Sequence, residues 1–354
     1  MDKAYYWMSL DVHSRSCEFA ASTPGGRVTD RRSLPTSIPP LVEAVRSVRR
    51  PRALVMEEGP MAGWLSRNLG EHVDRLIVCD PRRNHLIARD GDKDDPIDSQ
   101  KLLDLARGGY VREVHQSGTE GRAILKAHVA LYHDRVRRKV AEANRVIWFV
   151  RRWGVVVTES GFAEASRRAE LVGQLPRKRT VREDLALLLE GYDLAVEHVD
   201  RMRRRLIRLS RRVEQVKRFT AIPGVKWVRA ATFYALIDTP FRFRSGGALW
   251  KYVGIGLERR TSGDGPVILG VPRGCNRTLK NVILGAAKSA AVSGSNPFAE
   301  QYKRLLHDGH PPRIARRTVA RSLAAVMWGM WKNQSEYRPD WVGVPQKELD
   351  NRSR

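Results

Sequence analysis

Two long runs in the middle of the chain carry apolar residues at spacings of three and four, and they constrain the fold most strongly. The first extends from Gly121 to about Arg152, and the second extends from Leu185 to Val216. Such spacing marks one apolar face of a helix, and the charged residues in between are typical of a coiled coil or a long helical hairpin. Residues 153–180 break the pattern and are predicted to be a loop or short elements. The two helices pack either only on each other or also on a second copy of the chain, and we favour self-association.

The part of the chain before residue 110 shows a different pattern, in which strands alternate with helices. Three strands are predicted in AYYWMSLDV, CEFAAST and the region of GGRV, followed by a helix in SIPPLVEAVRSVR. A strand in RALVMEEG, a helix in MAGWLSRNLGE, a strand in VDRLIVCDP and a helix in DPIDSQKLLDLAR complete the series. This is the element order of ribonuclease H-like folds. The predicted fold class is therefore α/β plus α, with a ribonuclease H-like domain first.

A third pattern begins at Phe219. IPGVKWVRAATFYALI places Pro-Gly before a helix, which is typical either of half a helix-hairpin-helix or of an ordinary turn between helices. ERRTSGDGP is predicted to be a flexible, glycine-flanked loop, IARRTVARSLAAVMWGMW a final helix, and the polar tail to be loosely ordered. We predict an N-terminal domain over 1–118, a helical coiled-coil region over 119–218, a mainly helical C-terminal domain over 219–335 and a tail over 336–354.

The charge balance favours a polyanionic partner. Among 354 residues, Lys and Arg number 64 against 39 Asp and Glu, a formal charge of +25. Nucleic acid suits such a charge because phosphate contacts release counterions, although ribosomal and membrane-surface proteins are equally basic. The three scattered cysteines form no zinc motif, and the chain shows neither a signal-peptide pattern nor an apolar run of membrane-spanning length. We expect a soluble, intracellular protein in a reducing cytoplasm.

The densest basic segment is VDRMRRRLIRLSRRVEQVKR, where nine Lys or Arg stand against two acids. A charge run is often only a solvated face, but this density favours contact with a nucleic-acid backbone. Arginines in the ERRTSGDGP segment and before TLKNVI either neutralise phosphates or serve as structural cations. The candidate nucleic-acid contacts are Arg201, Arg203, Arg204, Arg205, Arg208, Arg211, Arg212, Arg259, Arg260 and Arg277.

Four carboxylates are predicted to converge in the first domain. Asp11 lies in the first strand, Glu57 ends the apolar run ALVM, and Asp95 and Asp98 share one side of the last helix because they are three residues apart. Such a cluster repels itself unless cations relieve it, and hard oxygen ligands suit Mg²⁺ or Mn²⁺. The competing interpretation is helix capping by Asp94 and Asp95. Ser262 lies beside Arg259 and Arg260, but on spacing alone most Ser-Gly pairs are turns.

Six sequence blocks, taken in order, resemble the DEDD transposases of bacterial insertion sequences, the family numbered one hundred and ten, and the related Piv-type invertases. The first three are SLDVHS, MEEGPMAGWLSRNL and VCDPRRNHLIARDGDKDDPIDSQKLLDLA. The others are AIPGVKWVRAATFYALIDTPFRFRSGGALWKYVGIGLERRTSG, GCNRTLKNVILGAA and VARSLAAVMW. The resemblance covers most of the chain outside the middle helices and the tail.

The resemblance implies a RuvC-like domain whose catalytic, metal-binding acids are Asp11, Glu57, Asp95 and Asp98, and a transposase domain whose nucleophile is Ser262. It also implies that a noncoding bridge RNA pairs with donor and target DNA, and that dimers assemble into a tetramer with domains contributed across subunits. The chain departs from the family at KDDPID, where a small hydroxyl residue usually precedes the aspartate, and at EEGP. Asp94 and Glu58 therefore stay open as alternatives to Asp95 and Glu57, which the spacing favours.

The expected function is an RNA-guided recombinase that excises and inserts a DNA element through Mg²⁺-dependent cleavage and a phosphoserine intermediate. One alternative is a RuvC-like junction resolvase that uses metal-activated water, or a Piv-type DNA invertase. Another alternative is a non-catalytic nucleic-acid-binding protein, in which the acids are only structural.

Overall fold

The computed structural model describes residues 4–81, 95–262, 265–270, 272 and 274–342, with only the backbone for 95–98, 258–262 and 265–269. The chain divides into two compact units, Met1–Ala123 and Ile124–Arg354. The finer division into four segments at 118, 218 and 335 stays a prediction. In the part of the chain that is described, no helix is long and apolar enough to cross a membrane.

The first unit is built on a five-stranded mixed sheet with the strand order β3-β2-β1-β4-β5. Strand β1 is antiparallel to β2 and parallel to β4, and β4 is parallel to β5. The strands are β1 (Tyr6–Val12), β2 (Ser16–Ser22), β3 (Val28–Pro35), β4 (Arg52–Glu57) and β5 (Arg75–Cys79). The helices are α1 (Ile38–Ser47), α2 (Ala62–Leu69) and α3 (Asp95–Arg107). The predicted element order is confirmed.

Helices cover both faces of this sheet. Met8 and Leu10 of β1 pack with residues of α1 and α2 in one core, whereas Trp7 packs with Leu102 and Leu103 of α3 in a second core. Because side chains alternate along a strand, every second residue of β1 belongs to the α3 face. Burial on both faces explains why the central strands read as nearly continuous apolar runs.

The second unit is mainly helical and contains one two-stranded sheet, β6 (Glu258–Ser262) with β7 (Gly265–Gly270). Its first helices are α4 (Glu120–Arg151), α5 (Ala165–Gly173), α6 (Arg179–Ser210) and α7 (Glu214–Phe219). Its remaining helices are α8 (Trp227–Ile237), α9 (Gly246–Val253), α10 (Arg277–Val292), α11 (Pro297–His307) and α12 (Pro312–Lys332).

The two long helices form an antiparallel hairpin. The end of α4, with Val146 and Val150, packs against the beginning of α6, with Leu185 and Leu189. The opposite ends of both helices join the core of the C-terminal helices. The predicted pair of long helices is thus a hairpin within one chain, and self-association stays a prediction. Exposed leucines one heptad apart, Leu187 and Leu194, leave an apolar stripe on the outside of α6.

The basic segment is not one continuous helix, as its spacing had suggested. Helix α6 ends at Ser210, and the backbone at Val213 is extended before α7 begins. Val216 and Phe219 of α7 are fully buried in the C-terminal core. The chain turns so that these side chains pack in the same C-terminal core as Leu206 near the end of α6. The three-four spacing runs across the turn and therefore does not reveal it.

Two further predictions for the C-terminal region are wrong. The ERRTSGDGP segment is a strand followed by a hairpin connection rather than a flexible loop, because Ser262 pairs with Gly265 across only two residues. Such short connections are typical of β-hairpins, and residues 263 and 264 lie outside the described part. The tail is partly ordered, since Tyr337, Trp341 and Val342 pack against the C-terminal core. Residues 343–354 lie outside the described part.

The Pro-Gly turn before α8 is held by tight packing. Gly224 adopts a φ of +78°, and a Cβ at this position would lie 2.4 Å from the carbonyl oxygen of Ala286 in α10. Arg229 Nη1 donates hydrogen bonds to Gly224 O at 2.6 Å and to Ser289 Oγ at 2.9 Å. The close approach of two backbones explains the glycine, while a phosphate contact at this turn stays a prediction.

Replacing Gly224 with Ala is expected to destabilise the protein by about 3 kcal/mol, because left-handed strain and overpacking against backbone add together. The measurement is the midpoint and slope of urea unfolding. Gly294→Ala is the matched control, since Gly294 has a φ of +68° and no atom within 4 Å of the added Cβ. The control should lose only about 1 kcal/mol from backbone strain. Equal losses in both variants would contradict the packing argument.

Candidate active site

The carboxyl ends of β1 and β4 bring two of the predicted acids to one edge of the sheet. Asp11 has the same parity as Trp7, so it lies on the α3 face of β1, and Glu57 has the parity of Val55, on the α3 face of β4. The register pairs Leu10 with Met56, which makes Asp11 and Glu57 the next facing positions. Adjacent strands lie about 4.8 Å apart, so both side chains can reach one cation.

The register also distinguishes the two neighbouring glutamates. Glu57 is the last residue of β4 and pairs with Cys79, whereas the backbone N–H of Glu58 donates to Cys79 O at 2.8 Å beyond the strand. Glu57 is thus the glutamate on the same face as Asp11.

Helix α3 brings the other two predicted acids to the same strands. It packs against β1, β2 and β4. A buried hydrogen bond from Ser9 Oγ to Ser99 O, 2.8 Å long, holds its first turns against β1. Ser9 precedes Asp11 by two residues on the same face, and Ser99 follows Asp98 directly. The backbone of Asp95 and Asp98 therefore begins the helix that covers the strand bearing Asp11. The side chains of Asp95 and Asp98, and all of Asp94, lie outside the described part.

Two residues near Asp11 were missed from the sequence. Glu18 of β2 is directly opposite Asp11 in the antiparallel ladder, and His13 Nε2 lies 3.3 Å from Asp11 Oδ2. The signal was the short connection from β1 to β2, whose register places Glu18 across from Asp11. A second carboxylate opposite the first adds negative charge that a cation would relieve.

The neighbouring thiol is unsuited to binding metal. Burial raises the pKa of Cys17, and the charges of Asp11 and Glu18 raise it further. The thiol therefore stays protonated, and Cys17 packs in the core on the opposite face of the sheet. Asp11 and Glu57 offer carboxylate oxygens on the α3 face, which suit Mg²⁺ or Mn²⁺ better than softer metals. Among the residues with described side chains, no group of three or more His, Cys, Asp or Glu is close enough to hold a metal ion.

The predicted nucleophile belongs to the second unit. Ser262 is the last residue of β6, at the end of the ladder next to the hairpin connection. Arg259 and Arg260 precede it in the same strand and pair with Ile268 and Val267. Only the backbone is described here, so the direction of the serine hydroxyl is not established.

The predicted basic surface is largely exposed. Along the end of α6, Met202 and Leu206 are buried, while the arginines between them face outward. Arg201 forms an ion pair with Glu197, and the guanidinium of Arg211 lies 5.8 Å from the centroid of the Trp227 ring. The exposed arginines of this surface are Arg201, Arg203, Arg204, Arg205, Arg208, Arg211 and Arg212. Arg211 and Arg212 lie in the turn after α6, not in the helix. Arg277 is exposed at the first position of α10.

Comparison with known proteins connects these features. Residues 216–303 match the model of the transposase IS116/IS110/IS902 family, a range that includes α8, α9, the β6–β7 hairpin and α10. The chain is 22% identical over 253 residues to the transposase for insertion sequence element IS1111A of Coxiella burnetii (strain RSA 493 / Nine Mile phase I), covering 70% of this chain and 68% of that protein. The family match thus contains the candidate serine, and both comparisons relate this chain to transposases of insertion sequences.

Proposed function

We propose that this protein is an RNA-guided DNA transposase that cuts and rejoins DNA through a serine nucleophile and a metal-binding carboxylate site. The observation that carries the proposal is the facing pair Asp11 and Glu57, placed at the edge of a sheet whose flanking helix begins with Asp95 and Asp98. The sheet order and the helix on this face support a RuvC-like relationship for the first unit. The family match supports DNA as the substrate.

Asp11, Glu57, Asp95 and Asp98 would hold the metal ions. Bound Mg²⁺ or Mn²⁺ would polarise the scissile phosphate and lower the barrier to proton loss from a nearby hydroxyl. Ser262 Oγ forms a bond to phosphorus as the bond from phosphorus to the leaving deoxyribose oxygen breaks. The proton lost by the serine balances the proton gained by the leaving hydroxyl. Because the phosphoserine link conserves the phosphodiester bond, a second strand can attack it and be joined without an external energy source.

The arginines have a different task, which is to bind the nucleic-acid backbone. Arg259, Arg260 and Arg277 are proposed to neutralise phosphates near the serine, and the exposed arginines at the end of α6 to contact the backbone of a bridge RNA or DNA. Base pairing of the RNA with donor and target DNA would then supply the choice of sequence. We propose that the chain acts as dimers that pair into a tetramer, in which the acids and Ser262 act on one phosphate and different subunits contribute them. The apolar stripe with Leu187 and Leu194 supports self-association.

The test is a covalent trapping experiment with metal removal. The full-length protein is mixed with RNA transcribed from the noncoding DNA beside its reading frame and with a nicked DNA substrate that prevents rejoining. A covalent protein–DNA adduct is expected with Mg²⁺, is expected to disappear with EDTA and to return with Mn²⁺. Peptide mapping should place the DNA on Ser262. An adduct that forms without divalent metal, or that maps to another residue, would contradict the proposal.

A further inference from the structure

A short turn in the second unit presents an aromatic side chain to solvent. Pro240–Arg242 form one turn of 3-10 helix, and Phe241 is 74% exposed. The backbone of this turn is fixed on both sides. Trp328 Nε1 donates to Pro240 O at 2.7 Å in a buried hydrogen bond, and the backbone N–H of Phe241 donates to Thr239 Oγ1 at 3.4 Å. The ring is therefore carried by an anchored segment.

The next residues hold the turn from the other side. Arg242 Nη1 donates to Leu236 O at 3.3 Å, and its guanidinium lies 4.5 Å from the centroid of the Tyr252 ring. Phe243 packs on the same ring, with centroids 5.3 Å apart. Thus Phe243 lies against the protein while Phe241 points away from it. The exposure of Phe241 follows from the anchoring of its neighbours.

The segment that contains Phe241 is rich in cations. From Asp238 to Leu257 the chain carries Arg242, Arg244 and Lys251 and one acid, Asp238, which is buried. Arg244 is exposed. Lys332, at the end of α12, places its ammonium 5.2 Å from the centroid of the Trp328 ring, the ring that binds Pro240 O. An anionic partner is therefore favoured on this surface.

A single exposed phenylalanine is ordinary on a protein surface. Here, however, the exposed ring is carried by an anchored turn in a cation-rich segment, a combination that suits unpaired nucleotides, since the ring can stack on a base while cations contact the phosphates. A duplex hides its base faces, so the ring cannot stack within it. We propose that Phe241 is a stacking platform for an unpaired base of RNA or DNA, with Arg244 contacting the adjacent phosphate. This deepens the proposed function, and it rests on nucleic-acid binding but not on cleavage.

The experiment measures the affinity of the full-length protein for fluorescent oligo(U), oligo(dT) and a mixed-sequence DNA duplex, each about twelve nucleotides long. Phe241→Ala is expected to weaken binding of a single strand about tenfold, with less than twofold change for the duplex. The Phe241→Trp variant should bind a single strand about as tightly as the wild type. The Phe241→Leu variant should bind as weakly as Phe241→Ala, because leucine offers apolar area without a π face. The salt dependence should be unchanged, since no charge is removed. A loss for oligo(U) alone would identify RNA as the source of the base, and a loss for oligo(dT) alone would identify DNA.

Val292→Ala is the control, because Val292 is 77% exposed at the end of α10 and has no aromatic face. It should leave all affinities unchanged, and the unfolding temperature of every variant should equal that of the wild type. Unchanged single-strand affinity in Phe241→Ala, full rescue by leucine, or an equal loss for the duplex would each overturn the proposal. These results differ from those expected if the proposed function is wrong. In that case no metal-dependent adduct would form, but binding of a single strand would still require Phe241.

Discussion

Replacing Ser262 with Ala is expected to abolish the covalent protein–DNA adduct and to lower strand exchange by at least about 10³-fold, because no other group then forms the phosphoester. The readout is the adduct on the nicked substrate, measured beside strand cleavage without adduct formation. Binding of DNA should be retained, since the hydroxyl carries no charge and ends a strand in a short hairpin.

Thr261→Ala is the matched control for this variant, because it removes a neighbouring hydroxyl from the same strand. Adducts should persist in the control. If Ser262→Ala still cuts DNA at the wild-type rate and no variant forms adducts, the junction-resolvase alternative is favoured, since metal-activated water would be the nucleophile.

Changing Asp11 to Asn should lower metal-dependent cleavage by about 10³-fold or more while the protein stays folded. The substitution removes a charge and keeps the shape. In the absence of metal it should leave stability equal or slightly higher, because Glu18 is directly opposite and the like charges repel. In the wild type, Mg²⁺ should raise the unfolding temperature; in Asp11→Asn this shift should be largely lost.

Asp30→Asn serves as the control for Asp11→Asn, because Asp30 is a surface carboxylate of β3 paired with Arg32 at 2.7 Å. It should change neither cleavage nor the Mg²⁺ shift. A wild-type protein that binds RNA tightly but shows no metal-dependent cleavage under any condition would favour the non-catalytic alternative.

The sequence was most informative where local chemistry and packing agree. Helix α3 begins and ends as predicted, because Pro96 suits a first turn and Arg107 is followed by two glycines. Asp11 and Glu57 could be placed on neighbouring strands because the apolar runs of β1 and β4 are short and buried. Their common face follows from alternation alone.

The sequence misled where one pattern fits two structures. The apolar spacing continues from α6 into α7 although the chain turns between them, since Leu206 of α6 and Val216 and Phe219 of α7 are buried in one core on either side of the turn. The sequence Gly263-Asp264 is typical of a two-residue hairpin connection. The strand β6 before it was nevertheless not predicted, because its arginines interrupt the alternation of apolar and polar residues that marks a half-buried strand. Glu18 was overlooked because its position depends on the register of a hairpin rather than on any motif.

The buried bond between Ser9 and Ser99 has a consequence for ion selectivity. The bond joins β1, which carries Asp11, to α3, which begins with Asp95 and Asp98. The entropy cost of bringing these two backbones together is therefore met when the protein folds, before a cation binds. A preorganised backbone would leave little freedom to widen a cage built from these candidate ligands. Such rigidity favours a small ion with strict octahedral demands over a larger and more adaptable one such as Ca²⁺.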